Sequence, residues 1–251
     1  MKRVCRICLA ICVALTSSAA DYYVANTAAA DDAPGYGLTP DTPFLTIAYA
    51  VTQVPDNSVI HVAAGEYKPS GTIMIDHPVS VIGAGVGQSV LNGSAIGTAQ
   101  RMLVVNSGDA VFEGFTFSNC NFTVSDSGSD RYGTVAYLKA GTIRACRFTS
   151  CRFNGYKNHG VVCNDGGLLD DCEIDGCSVG TTLYMNRGLA LCQLAGTSRN
   201  CHIRNNPSVA TYGNVYVGGG VLRNSRIAFN GASNCALEGT GVRIHGGIVE
   251  N

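Results

Sequence analysis

The chain has 251 residues, of which 31 are glycine, none is tryptophan and only 14% are charged, against about 25% charged in an average protein. An apolar, glycine-rich balance of this kind excludes a disordered chain and points to an all-β one. With a formal net charge of −1 and no basic stripe, nothing favours nucleic acid as a partner.

Residues 1–20 read as a secretory signal peptide. Lys2, Arg3 and Arg6 form a basic start, Ile7 to Leu15 an apolar centre, and Ser18-Ala19-Ala20 a small-residue cleavage site. The apolar run is shorter than the roughly 20 residues that span a bilayer, and no other stretch is long enough for a transmembrane segment. A lipid anchor on Cys12 would need a small residue before it, and Ile11 is not one. Cleavage near Ala20 leaves 14 Lys+Arg against 18 Asp+Glu, a net charge of −4. The expected protein is therefore secreted or held at the cell surface, with residues 21–251 as one domain.

Next comes a short stretch unlike the rest. Phe44 to Val54 has the pattern of an amphipathic helix, with Pro43 at its start and Pro55 after its end. Val59–Val62, Thr72–Ile75 and Val79–Ile82 read as strands. A helix here would cover an open strand edge and block edge-to-edge association.

From residue 109 onward one phrase recurs. It reads "DAVFEGFTFSNC" (109–120), "AGTIRACRFTSC" (140–151), "GGLLDDCEIDGC" (166–177), "AGTSRNCHIRNN" (195–206), "GGVLRNSRIAFN" (219–230) and a partial "GGIVEN" (246–251). The spacings of 31, 26, 29, 24 and 27 residues are those of a solenoid with loop insertions. Short alternating runs broken by glycine and asparagine make each copy a strand-turn-strand rung rather than a helical repeat. Aligned copies predict three inward columns: Phe112, Ile143, Leu169, Ser198, Leu222, Val249; then Phe115, Cys146, Cys172, Cys201, Ser225; then Phe117, Phe148, Ile174, Ile203, Ile227. The column Gly114, Ala145, Asp171, Asn200, Asn224, Asn251 suits a bend with left-handed backbone angles. Stacked parallel strands lie about 4.8 Å apart, so Asn200, Asn224 and Asn251 are expected to form a hydrogen-bonded ladder. The twelfth column is Cys120, Cys151, Cys177, Asn206, Asn230.

Nine of the twelve cysteines lie beyond the signal peptide, an odd number that leaves at least one free thiol. No CxxC pair occurs among these nine, so no metal site is expected. Stacked cysteines such as Cys146, Cys172 and Cys201 point the same way, which is poor disulfide geometry. They are expected to pack as small apolar residues. Tyr137, Cys163, Cys192 and Tyr216 share a further column, whose direction, inward or outward, the sequence leaves open.

The acidic rung 166–177 supplies the candidate catalytic residues Asp170, Asp171, Glu173 and Asp175. In the aligned columns they stand between Arg144 and Arg147 on one side and Arg199 and Arg204 on the other. The plainer reading is thus a charge ladder that resists register slips. A calcium site would need six to eight oxygen ligands, and an acidic rung flanked by arginines is a poor host. Tyr132, Tyr156, Tyr184 and Tyr212 occur between rungs as candidate sugar-stacking residues. His61, His77 and His245 read as surface or turn residues.

The order "PFLTIAYA" (43–50), "GEY" (65–67) and "VSVIGAG" (79–85), followed by the "GG-x-L" rungs, resembles right-handed parallel β-helix proteins of the pectin-lyase-like superfamily across essentially all of residues 21–251. The resemblance implies an all-β, single-stranded right-handed parallel β-helix with a short N-terminal capping helix. It also implies a class that includes polysaccharide lyases, which use calcium and a basic residue, and glycoside hydrolases, which use aspartates. "LLDDC" (168–172), "NHG" (158–160) and "RIH" (243–245) echo the hydrolase motifs only in part and in a different order. The expected function is a non-catalytic module that binds a polysaccharide or glycan surface or mediates adhesion, with no cofactor. The alternatives are a lyase or hydrolase, with Ca2+ entering only for the lyase, and a structural stalk. "GGIVEN" breaks off where earlier copies continue, so further β-helix coils or a C-terminal domain are expected as neighbours.

Overall fold

A computed structural model describes residues 19–97, 100–124, 131–155, 158–179, 188–207, 213–230 and 241–251. Every strand-to-strand ladder in it is parallel. The chain winds repeatedly through the same positions, laying each strand on the one a coil earlier. One series runs Asp21–Val24, Ser58–Val62, Val79–Gly83, Val111–Glu113, Thr142–Arg144, Val162–Asp170, Leu191–Arg199, Val221–Arg223, Ile248–Glu250. A second, seven-stranded sheet runs from Gly65–Tyr67 through Phe115–Ser118 and Glu173–Asp175 to Arg226–Ala228. A third series holds Ile73–Ile75, Leu103–Val105, Ala136–Leu138, Val215–Val217 and Val242–Ile244. It joins the first because Val162–Asp170 and Leu191–Arg199 are single nine-residue strands that serve both. Irregular pairing at Asn164 and Asp165 marks where they change series.

The expected columns are in register. Phe112, Ile143, Leu169, Ser198, Leu222 and Val249 pair successively. So do Phe117, Phe148, Ile174, Ile203 and Ile227. Both series, with Phe115, Cys146, Cys172 and Cys201, line one continuous core, except Val249, which the sequence places inward but which is exposed. The Phe117 and Phe148 rings stack at 4.6 Å. Ser198 is the polar member of its column. It is fully buried and satisfied by hydrogen bonds with Gln193 and Asn164.

Two bends shape each rung. The expected one has positive φ at Gly114 (80°), Ala145 (48°), Asp171 (50°), Asn200 (56°) and Asn224 (45°). A second, unforeseen, lies five residues on, at Asn119 (54°), Ser150 (52°), Gly176 (67°), Asn205 (54°) and Phe229 (52°). Serine and phenylalanine disfavour this region, which hid the column from composition. Between rungs, Gly196 is required for two reasons. Its φ is 69°, and a Cβ there would fall on the Gly167 carbonyl oxygen of the coil below.

The N-terminal helix is Ile47–Gln53, not Phe44–Val54. Phe44 is captured first as extended chain: its amide donates to the Tyr23 carbonyl at 2.8 Å, and its carbonyl accepts from Ala25 at 3.0 Å. The Asp32 carboxylate then accepts from the Leu45 and Thr46 amides, both at 2.9 Å. Thr46 caps the helix by accepting from Tyr49. Ile47, Ala50 and Val51 are buried in the main core. Among the described residues no helix is long and apolar enough to cross a membrane. Residues 1–18, the bulk of the expected signal peptide, lie outside the described residues.

Candidate functional site

The four acidic candidates do not converge. Asp170 lies on the first sheet series and Asp171 on the bend, while Glu173 and Asp175 lie on the seven-stranded sheet. Arg199 donates to Asp170 at 2.7 Å and Asn200 donates at 2.8 Å. These bonds, the Arg199 one foremost, hold the Asp170 carboxyl below its ordinary value. Glu173 meets Arg147 at 3.1 Å and Arg204 at 2.5 Å; Asp175 meets Arg147 at 2.8 Å and accepts from Asn205 at 2.9 Å. The charge ladder is therefore realised contact by contact, with Arg144 on Glu113 at 2.6 Å as a further rung. Asp171 alone of the four is exposed, above a shallow groove shared with Glu173, Asn200 and His202. Among the described residues no three His, Cys, Asp or Glu side chains are grouped to hold a metal ion.

The ladders have distinct physics. Asn224 donates to Asn200 at 2.5 Å, and Asn251 continues the column without a side-chain bond to Asn224 among the described residues. Cys146, Cys172 and Cys201 are free and buried, each thiol donating to the carbonyl two residues earlier at 3.2–3.3 Å. Burial pushes the Cys201 thiol up to about 12. Cys120 is raised to about the same value by burial and by its neighbour Cys177.

Of the four candidate tyrosines, Tyr156, Tyr184 and Tyr212 lie outside the described residues. Tyr132 belongs to a cluster that was not foreseen. The open column Tyr137, Cys163, Cys192, Tyr216 is in register. It faces away from the main core, because its neighbours Ala136, Leu138, Val162, Leu191, Val215 and Val217 face into that core. Its members form a second apolar cluster with Tyr132 and Leu194 packed on it. Strand alternation in "VAYL" (135–138) and "VVCN" (161–164) carries this signal, but a covered outward face looks like an inward one in composition.

Tyr132 stacks on Tyr137 with centroids 6.0 Å apart and lies 4.9 Å from the buried His159. The Arg101 guanidinium stands 5.3 Å over the Tyr137 ring. The Tyr137 hydroxyl donates to Asp165 at 2.6 Å. Asp165 is presented by the strand irregularity, where the Asn164 side chain accepts from the Gly166 and Gly167 amides at 3.3 and 3.0 Å. Burial, then the bond to Asp165, pushes the Tyr137 phenol well above its ordinary value. It keeps its proton at neutral pH and serves as a donor, not a base. Flat ring faces beside a guanidinium and a carboxylate are suited to hydrogen-bonding and stacking on a polar, ring-shaped ligand.

The sequence matches no protein-family model and no curated protein. In the solved structures it is similar to a pectate lyase, at 16% identity and a TM-score of 0.49, over 90% of this chain and 58% of that one. A rhamnogalacturonan lyase has 13% identity and a TM-score of 0.46, over 83% and 75% of the two chains. A pectin methylesterase mutant in complex with a hexasaccharide has 13% identity and a TM-score of 0.42, over 92% and 81%. The chain thus spans little more than half the length of the pectate lyase. The fold is a parallel β-helix. What this β-helix does is a separate question, since one fold hosts many activities.

Proposed function

We propose that this chain is a non-catalytic, secreted or cell-surface β-helix module that binds carbohydrate, as a glycan-binding or adhesive surface. The observation that carries the reading is the outward cluster in which Tyr132 and Tyr137 stack while Arg101 and Asp165 flank them. The neutralised acidic rung supports the non-catalytic part, because Asp170, Glu173 and Asp175 are engaged by arginines. The helix Ile47–Gln53 serves in this reading as a cap on the first coils. No cofactor is proposed.

A polysaccharide lyase or glycoside hydrolase is the second reading, favoured by Asp171, the one exposed carboxylate of the rung, beside Glu173 and His202. Calcium enters only for the lyase. The deciding experiment incubates the protein with acidic and neutral polysaccharides, with and without calcium, and follows unsaturated products, reducing ends and retention. Retention without turnover, weakened about fivefold by Tyr137→Ala and largely kept in Tyr137→Phe, is the expected result, an aromatic contact being worth about 1 kcal/mol. Turnover lost in Asp171→Asn would establish the enzyme instead. Silence in every assay would leave a structural stalk.

A further inference from the structure

No Asp or Glu occurs between Asp175 and Glu238, while Arg187, Arg199, His202, Arg204, Arg223 and Arg226 fall in that interval. The fold gathers part of this imbalance in one place. His202 and Arg226 are register partners on the seven-stranded sheet, and Arg204 and Ala228 are the next outward pair. With Phe229 they line a notch of about 90 Å³. Arg204 is already engaged by Glu173 and Asp175, but Arg226 meets no carboxylate among the described residues.

Phe229 is doubly unusual there. It occupies the bend column that reads Asn119, Ser150, Gly176 and Asn205 in the earlier coils, at φ 52°, a region that bulky residues avoid. Its ring is 78% exposed. Backbone strain that displays an apolar ring to water, beside a guanidinium that meets no carboxylate among the described residues, is the sort of cost retained at recognition sites.

We propose that this notch is an anion site that takes a sulfate or phosphate ester on a sugar, the ester seated between Arg226, Arg204 and His202 and the sugar ring stacked on Phe229. The notch is small, at about 90 Å³. That is room for one tetrahedral oxyanion and not for a base or a sugar ring, so the ring must lie outside, where Phe229 stands. Guanidinium groups recognise such oxyanions through paired charge-assisted hydrogen bonds. A nucleic acid is disfavoured because the neighbouring coil presents Glu173 and Asp175 on the same sheet, which repel a continuous phosphate backbone.

The site is separate from the Tyr132–Tyr137 cluster and is tested separately. The purified protein is titrated with dextran sulfate, dextran phosphate, uncharged dextran, inorganic sulfate and a single-stranded oligodeoxynucleotide. The expected result is binding of the esterified dextrans over dextran, competed by inorganic sulfate, and weakened about tenfold in Arg226→Gln, the loss of one charged hydrogen-bond donor. Phe229→Ala should weaken the polymers but leave inorganic sulfate unchanged. Both side chains are exposed, so both variants should fold, and Tyr137→Ala should leave these affinities unaltered. Preference for one ester identifies the anion's source, and equal binding assigns the shared oxyanion chemistry. Unchanged binding in Arg226→Gln, equal binding of uncharged dextran, or tighter binding of the oligonucleotide would overturn the proposal.

Discussion

Asp170 stands between two arginines of its own column, Arg144 and Arg199, paired through successive strands. Its carboxyl is held below the ordinary value mainly by Arg199, so the folded state favours the ionised form. The stability it contributes is present above the unfolded value of about 4 and fades as pH falls through the lower folded one. Asp170→Asn should lower the unfolding midpoint by about 2–4 °C at pH 7, with the difference from the parent closing below about pH 4; thermal melts across pH check it. The buried thiols act with the opposite sign. Cys120 and Cys201 are raised to about 12, so their contribution is complete below the unfolded thiol value of about 8.5 and is lost as pH rises beyond it. Thiol-specific reagents at pH 8 should leave Cys120, Cys146, Cys151, Cys172, Cys177 and Cys201 unmodified in the native protein and modify all of them in denaturant. Much at this scale was legible before any coordinates. Phe112 over Ile143 over Leu169 follows from the repeat spacing, and the Asp170–Arg199 contact follows from that column. Tyr137 over Asp165 did not, because a strand irregularity at Asn164 and Asp165, immediately before Gly166-Gly167, shifts the register and no periodicity encodes it.

Each rung is a pair of short strands hinged by left-handed residues, and its stability resides in those hinges and in the stacked column between them. Phe148→Ala, removing a fully buried ring packed on Phe117, should cost about 3–5 kcal/mol. Gly196→Ala should cost at least about 2 kcal/mol from the strained backbone angle alone, more than any neighbouring surface change; denaturant midpoints measure both. The first hinge was readable because glycine, asparagine and aspartate fill most of it. The second was not, since Ser150 and Phe229 interrupt its asparagines. The helix was visible as a periodic run, but its first three residues were lost to a backbone bridge between Val24 and Phe44. No helix propensity anticipates a contact across twenty residues of sequence.

Across the whole molecule, each coil is supported only by the coil before and the coil after, so protection should vary along the axis. Val162–Asp170 is flanked by strands on both sides, whereas among the described residues Val242–Ile244 and Ile248–Glu250 each pair on one side only. Hydrogen exchange should be slowest in Val162–Asp170 and fastest in the last two strands, a gradient that uniform exchange would contradict. The sequence announced this one-dimensional architecture through its repeat. It did not announce the covered face around Cys163 and Tyr216, which depends on Tyr132 and Leu194 packing against it. The alternating charges also constrain how such a gene can lengthen. Duplicating the rung 166–177 by itself would set Asp170 and Glu173 directly above copies of themselves, about 4.8 Å away. Duplicating 140–194, a basic coil together with an acidic one, would keep Asp170 and Glu173 facing Arg144 and Arg147. An array of this kind can lengthen in couplets without stacking carboxylate on carboxylate, whereas a lone extra copy of the acidic rung stacks them even though its core columns fit.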